Sequence, residues 1–245
     1  LKKRGFSFIK APLNKGDWGD LKAIIGCWEA DLIAEFVREY VPFDSFRLLL
    51  RAVRGWAKSR RIYGNSYGLL GGFSWALLSA WSCQYCDRDN IRLEKLLTNF
   101  FLLINQHNWH QPIALTDAGK QYSIQLPRDL LPIITSIEPC QNSARNITNS
   151  TAEILRREFR RGAKLSQEII AGNFNWSLLF ESVNLQQESD IFLFLTATSN
   201  DRQELEKYCG ILESSMIGLI IQLENNGVFV RPCTGIDRMQ NIARS

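Results

Sequence analysis

Histidine is scarce in this 245-residue chain: only His107 and His110 occur, three positions apart in a stretch that closes on Pro112. Histidine acid–base chemistry elsewhere is therefore excluded. With no Cys, Asp or Glu close by, the pair is a weak metal set and reads as surface or packing histidine. Long apolar runs are absent too. The longest, such as Phe100–Ile104, are far too short to cross a bilayer, and no secretory signal opens the chain. Neither sign of charge dominates: 29 Lys and Arg against 25 Asp and Glu leave a net charge of +4, so an anionic partner must be met by local clusters. No internal repeat or low-complexity tract is present.

The chain does have the means to build a core. Hydrophobic residues make up 45% and charged residues 22%, which is globular rather than disordered composition. Its length allows one large domain or two smaller ones. It begins at Leu1 rather than Met, which suggests a piece of something longer. Of six cysteines, only Cys83 and Cys86 form a C-x-x-C, and no second pair stands at zinc-ribbon spacing. The pair follows an apolar helical run, not a strand, so reduced buried thiols of an intracellular protein are expected. The sequons at Asn146, Asn149 and Asn175 then count as chance matches.

Residues 1–23 are basic and carry no clear period. A helical pattern runs from Ile24 to Tyr40 and stops before Val41-Pro42. Asp44 or Ser45 can cap the next helix, where Leu49, Val53 and Trp56 recur on one face. Arg47, Arg51, Arg54 and Lys58 line the opposite face, either as a solvated surface or facing an anion. An apolar helix through Trp75–Trp81 and another over Arg92–Asn105 follow. Beyond about residue 145 the composition changes. Ser150 to Glu153 has the form of a capping box, opening a helix that bears Arg156, Arg157, Arg160, Arg161 and Lys164 and closes near Gly172. Ile191–Leu195 reads as a buried strand, Asn200 as a cap, Leu205–Leu223 as an amphipathic helix, and Val228–Val230 as a second strand. Helices first and an α/β unit second predict two domains, 24–145 and 146–245, after a remnant or linker at 1–23.

Between the cationic helix and the apolar one lies Arg61-Ile62-Tyr63-Gly64-Asn65-Ser66-Tyr67-Gly68-Leu69-Leu70-Gly71-Gly72-Phe73-Ser74-Trp75. It has neither the Lys-Ser/Thr of a Walker loop nor the preceding strand of a dinucleotide fingerprint. Taken alone, Gly68, Gly71 and Gly72 read as room for two helices to meet. With its neighbours the segment says more. Phe46-Arg47, Trp56-Ala57-Lys58, Ile62-Tyr63-Gly64-Asn65 and Gly68 through Ala76 closely resemble the central domain of eukaryotic-type poly(A) polymerases. Pro112-Ile113, Leu131 to Thr135, Gln141-Asn142-Ser143, Glu158-Phe159, Trp176 and Glu213-Ser214 follow in the family's order. The resemblance covers roughly residues 24–235.

The resemblance implies an α+β chain: an all-helical central domain followed by a small, possibly truncated RRM-like RNA-binding domain. It further implies an ATP site made in part by Arg54, Tyr63, Asn65, Gly72, Phe73 and Leu131. Arg54 stands where the family has a phosphate-contacting lysine, Phe73 where it has a valine, and Leu131 where it has a methionine. RNA would be held by Arg156, Arg157, Arg160, Arg161 and Lys164, since two cations expected beside Glu213-Ser214 are replaced within Ser215-Met216-Ile217-Gly218. Catalytic and metal-binding residues are expected to be absent. The family places its metal-holding carboxylates on another domain, and Asp87-Arg88-Asp89 lacks the strand that such a pair requires. ATP is thus expected as substrate, with Mg2+ or Mn2+ only alongside a catalytic domain supplied in cis or trans. The RNA 3′ end is the other expected partner, with no membrane involved. The expected location is intracellular: nuclear if eukaryotic, cytoplasmic if bacterial. Two alternatives stay open: a non-catalytic RNA-binding module on the same scaffold, and a helical interaction domain whose arginines bind acidic partners.

Overall fold

A computed structural model describes residues 18–233. Among the described residues eight α-helices follow in order: α1 (Trp18–Arg38), α2 (Phe43–Ser59), α3 (Gly72–Cys83), α4 (Leu93–Gln106), α5 (Asp117–Lys120), α6 (Asn149–Ile170), α7 (Leu185–Glu188) and α8 (Arg202–Asn225). Short 3₁₀ turns occupy Asn65–Tyr67 and Trp176–Phe180. Among the described residues there is no β-strand, only isolated bridges such as Tyr63 with Leu70 and Ile113 with Ile133.

The expected pattern on α2 holds: Phe46, Leu49, Val53, Trp56 and Ala57 face inward. α3 is buried almost all round, which is why its sequence carries no polar stripe. The core is aromatic at its centre. Trp56 meets Phe101 edge-on at 4.7 Å and Trp75 at 5.8 Å, and Phe159 of α6 lies 5.6 Å from Trp56. α6 therefore joins the core of the preceding helices, running along α4. The two come so close at Gly162 that a Cβ there would stand 2.4 Å from Phe101 Cδ1. The close helix contact thus belongs to Gly162, not to the 68–72 glycines.

Helix ends differ in detail from expectation. α2 starts at Phe43 behind Pro42 with no side-chain cap, and Asp44 instead pairs with Arg47 at 3.2 Å. The capping box of α6 is Thr148 with Thr151, which frees the Ser150 amide to meet Glu224 Oε1 at 2.8 Å. Asp201, not Asn200, caps α8 through the amides of Gln203 and Glu204. Gly172 (φ +84°) and Gly227 (φ +79°) close α6 and α8 in the left-handed region that favours glycine.

The expected strands do not form. Ile191 is 88% and Phe194 83% exposed, so the 191–195 run is not buried. A strand is stable only beside a pairing neighbour. The other segment lies elsewhere: Val230 donates its amide to Ser150 Oγ at 3.1 Å, and Phe229 packs under the Arg157 guanidinium at 5.2 Å. Of the apolar face of α8, only Ile220 is buried. The described residues are thus helical, without an α/β layer.

Candidate nucleotide-binding cleft

The diglycine bend is built from the chain on both sides of it. After α2, Arg61 takes a positive φ (54°), and the backbone runs out through Tyr63, turns at Asn65–Tyr67 and returns. The Gly64 amide meets the Leu70 carbonyl at 3.0 Å, so Tyr63 and Leu70 lie side by side. Gly68 (φ +72°) closes the turn in the left-handed region, with the Asn146 carbonyl only 3.2 Å from where a Cβ would be. Gly71 precedes α3 in extended conformation, and Gly72 is its first residue.

Arg54 reaches this bend from α2. Its Nη2 donates to the Gly72 carbonyl at 2.8 Å, while its buried Nε has no partner among the described residues. A Cβ on Gly72 would stand 2.6 Å from the Tyr63 hydroxyl and 3.5 Å from Arg54 Nη2. The missing side chain is what lets arginine, tyrosine and backbone converge. Lys58, a turn further along α2, holds its ammonium 5.3 Å from the Tyr63 ring. The cationic stripe thus divides: Arg47 pairs with Asp44, Arg51 faces solvent, and Arg54 and Lys58 turn to the bend.

The bend opens on a cleft of about 350 Å³. Asn65, Gly71, Gly72, Phe73 and Ser74 form one wall, and Thr135, Gln141, Asn142, Ser143 and Arg145 the other. No carboxylate is among them. The first amides of α3 have no acceptor within their own helix and carry its positive dipole end. Together with the Arg145 cation they make this cleft complementary to an anion. Phe73 is 37% exposed at the rim and offers a flat apolar face.

Buried polar residues hold the second wall. Glu29 of α1, 3% exposed, accepts the Ser136 amide at 2.9 Å and the Ile137 amide at 3.0 Å, fixing the turn after Thr135. Asp129, 2% exposed, takes the Asn142 amide at 3.0 Å, and Asn142 Oδ1 accepts from Ile133 and Ala144. Ser74 and Ser143 tie the walls together, hydroxyl to hydroxyl at 3.0 Å. Sequence reasoning gave Glu29, Asp129 and Arg145 no role. Glu29 and Asp129 are ordinary acids until the fold buries them.

The expected ATP residues thus divide. Asn65, Gly72 and Phe73 line the cleft, and Arg54 and Tyr63 stand directly behind Gly72. Leu131 is fully buried and does not line it.

The expected RNA-binding residues occupy more than one face of α6. Arg156 lies 4.7 Å over the Trp109 ring, and Arg156 and Arg160 line a second cavity with His107 and His110. Arg157 pairs with Glu153 at 3.0 Å. Arg161 serves structure, donating to the Leu178 and Leu179 carbonyls, and burial pulls its pKa down. Lys164 is exposed.

Among the described residues no group of three or more His, Cys, Asp or Glu could hold a metal ion. Cys83 is buried, and burial above all pushes its thiol up to about 12, too high for a nucleophile or redox site. Cys27 and Cys233 are exposed and only Cys83 is buried, contrary to the expectation of buried thiols. No helix among the described residues is long and apolar enough to cross a membrane.

The sequence that builds this bend and cleft matches a known class. Residues 45–182 match the family model described as poly(A) polymerase central domain. The chain is 32% identical over 223 residues to Poly(A) polymerase PAPalpha of Candida albicans, covering 86% of this chain and 39% of that protein. It is 31% identical over 224 residues to Nuclear poly(A) polymerase 1 of Arabidopsis thaliana (87% and 31%). Nuclear poly(A) polymerase 4 of that plant matches at 32% over 217 residues (84% and 28%). This chain belongs to the poly(A) polymerase family, and it spans less than half the length of these relatives.

Proposed function

We propose that this chain supplies the central-domain wall of an ATP site in template-independent addition of adenylates to RNA 3′ ends. One observation carries the reading: Arg54, Tyr63 and the first turn of α3 converge where Gly72 has no side chain, at the edge of a cleft with no carboxylate among its described lining residues. Triphosphate oxygens would meet the α3 amides and the Arg54 and Arg145 guanidinia, with Asn65 and Phe73 toward the nucleoside. Arg54 would exchange its bond to the Gly72 carbonyl for one to phosphate.

Adenylyl transfer needs metal ions that activate the 3′-hydroxyl and steady the leaving pyrophosphate. On this reading Mg2+ or Mn2+ is held by carboxylates of a catalytic domain acting with this chain, and this chain binds and orients the nucleotide. Arg156, Arg160 and Lys164, spaced at i, i+4 and i+8 on α6, would form the RNA track. The exposed apolar 191–195 run would pair with strands of an RRM-like layer, which would cover Phe192 and Phe194. The nuclear relatives favour a nuclear location.

Photolabelling with azido-ATP tests the reading. Label should fall on the Tyr63–Phe73 peptide and disappear with excess ATP. Labelling scattered over the chain, or indifferent to ATP, would refute it.

A further inference from the structure

A second cavity, about 260 Å³, opens between the segment after α4 and the outer face of α6. His107, His110, Arg156 and Arg160 line it, over Trp109 and Phe159. Trp109 is anchored in the core: it is 6% exposed, and its indole N–H donates to the Ile104 carbonyl at 3.3 Å. Its ring in turn holds the Arg156 guanidinium at 4.7 Å. Among the described residues no carboxylate pairs with Arg156 or Arg160, because Glu153 is taken by Arg157 and Glu158 lies buried against Arg60. His107 is positioned by Trp81, 5.2 Å away, and by the Gln111 carbonyl, whereas His110 is exposed. Two unpaired guanidinia and an open imidazole around one cavity form an anion site, and a guanidinium fixed on a ring offers its other face to a planar group.

We infer that this cavity is a nucleotide subsite for single-stranded RNA. A base or sugar packs on the outer face of Arg156, and a backbone phosphate is met by Arg160 and His110. The inference rests on the RNA-track reading above. Position supports it, since α6 begins beside Asn146, which donates to the Asn65 carbonyl at the ATP cleft. Arg156 stands seven residues, about 10 Å, along α6 from its first residue Asn149. The same strand could therefore pass this cavity and end at the cleft. Polar and charged side chains make up most of the cavity's lining, which favours nucleic acid over an anchored peptide.

The test is binding of labelled oligoadenylate to the full chain across a salt series. Arg160→Gln combined with His110→Ala, both at exposed positions, should weaken binding about tenfold and reduce the salt slope by about 1. Arg156→Lys keeps the charge but loses the planar face, and should weaken binding a few-fold without changing the slope. A 4-thiouridine oligonucleotide should crosslink to the Asn105–His110 peptide. If the wild-type chain binds RNA and the double variant binds it equally well, the subsite is wrong and the RNA track lies elsewhere. Failure of the wild-type chain to bind RNA even at low salt would sink the track and the subsite together. Loss of phosphoserine-peptide binding in the double variant, with RNA affinity unchanged, would assign the cavity to a protein partner instead.

Discussion

Arg60, just past the end of α2, grips Glu158 in the middle of α6 with two parallel bonds, Nε to Oε2 at 2.9 Å and Nη2 to Oε1 at 3.0 Å. Both side chains are under 10% exposed. Arg60 also donates to the Glu181 carbonyl at 2.8 Å. Arg231 comes in from the far end of the described chain, giving Nη2 to the Arg60 carbonyl at 3.1 Å and Nη1 to Glu188 at 2.7 Å. One buried cluster therefore fastens the segment after α8 to the helical core. Removing one partner strands a buried charge, so Glu158→Ala should cost about 3–5 kcal/mol in denaturant unfolding. A cost below about 1 kcal/mol would show that water reaches the cluster.

Gly162 tests the packing of α4 on α6. An added methyl would meet Phe101 Cδ1 at 2.4 Å and Cε1 at 2.6 Å, and Phe101 is fully buried. Alanine is the better helix former, so propensity alone predicts stabilisation of about 1 kcal/mol. Overpacking should win, and Gly162→Ala should lower stability by about 1–3 kcal/mol. A raised Tm would mean that the helices are not in this contact.

Glu224 near the end of α8 receives the Ser150 amide at the start of α6. Burial raises its pKa, but hydrogen bonds from Thr148, Ser150 and Asn149 outweigh that and hold it below the ordinary 4.5. A depressed carboxyl contributes stability that is present above pH 4.5 and lost as pH falls through its lower folded value. Acid titration of the wild-type chain should loosen α8 from α6 below about pH 4.5. Glu224→Gln should be less stable at pH 7 and lose part of that acid dependence, as read by hydrogen exchange at Ser150. An unchanged acid profile in Glu224→Gln would contradict the assignment.

Much of the helical part was legible because its signals are local and periodic. Leu49, Val53 and Trp56 recur at helical spacing and do face the core. The 191–195 run misled because its apolar character declares a need for cover without saying whether cover is present. Only tertiary contact decides that, and here Phe194 remains 83% exposed. The five cations of α6 could be read from spacing, but not that Arg161 would be drawn to the Leu178 and Leu179 carbonyls. The family pattern pointed to Arg54, Tyr63 and Gly72, which do meet at the bend. Glu29 was not, because its partners at Ser136 and Ile137 lie more than a hundred residues away.

The most direct measurement is ATP affinity, by calorimetry or equilibrium dialysis, for the wild-type chain beside Arg54→Ala and Gly72→Ala. Arg54→Ala removes a charge-assisted contact and should cost about 1–3 kcal/mol of binding. Gly72→Ala would put a Cβ 2.6 Å from the present place of the Tyr63 hydroxyl, so it should displace that hydroxyl and weaken ATP binding as well, with the helical circular dichroism of both variants intact. Saturable binding by the wild type that both folded variants lose is the predicted result. ATP affinity equal in all three would mean that the diglycine bend does not face the nucleotide.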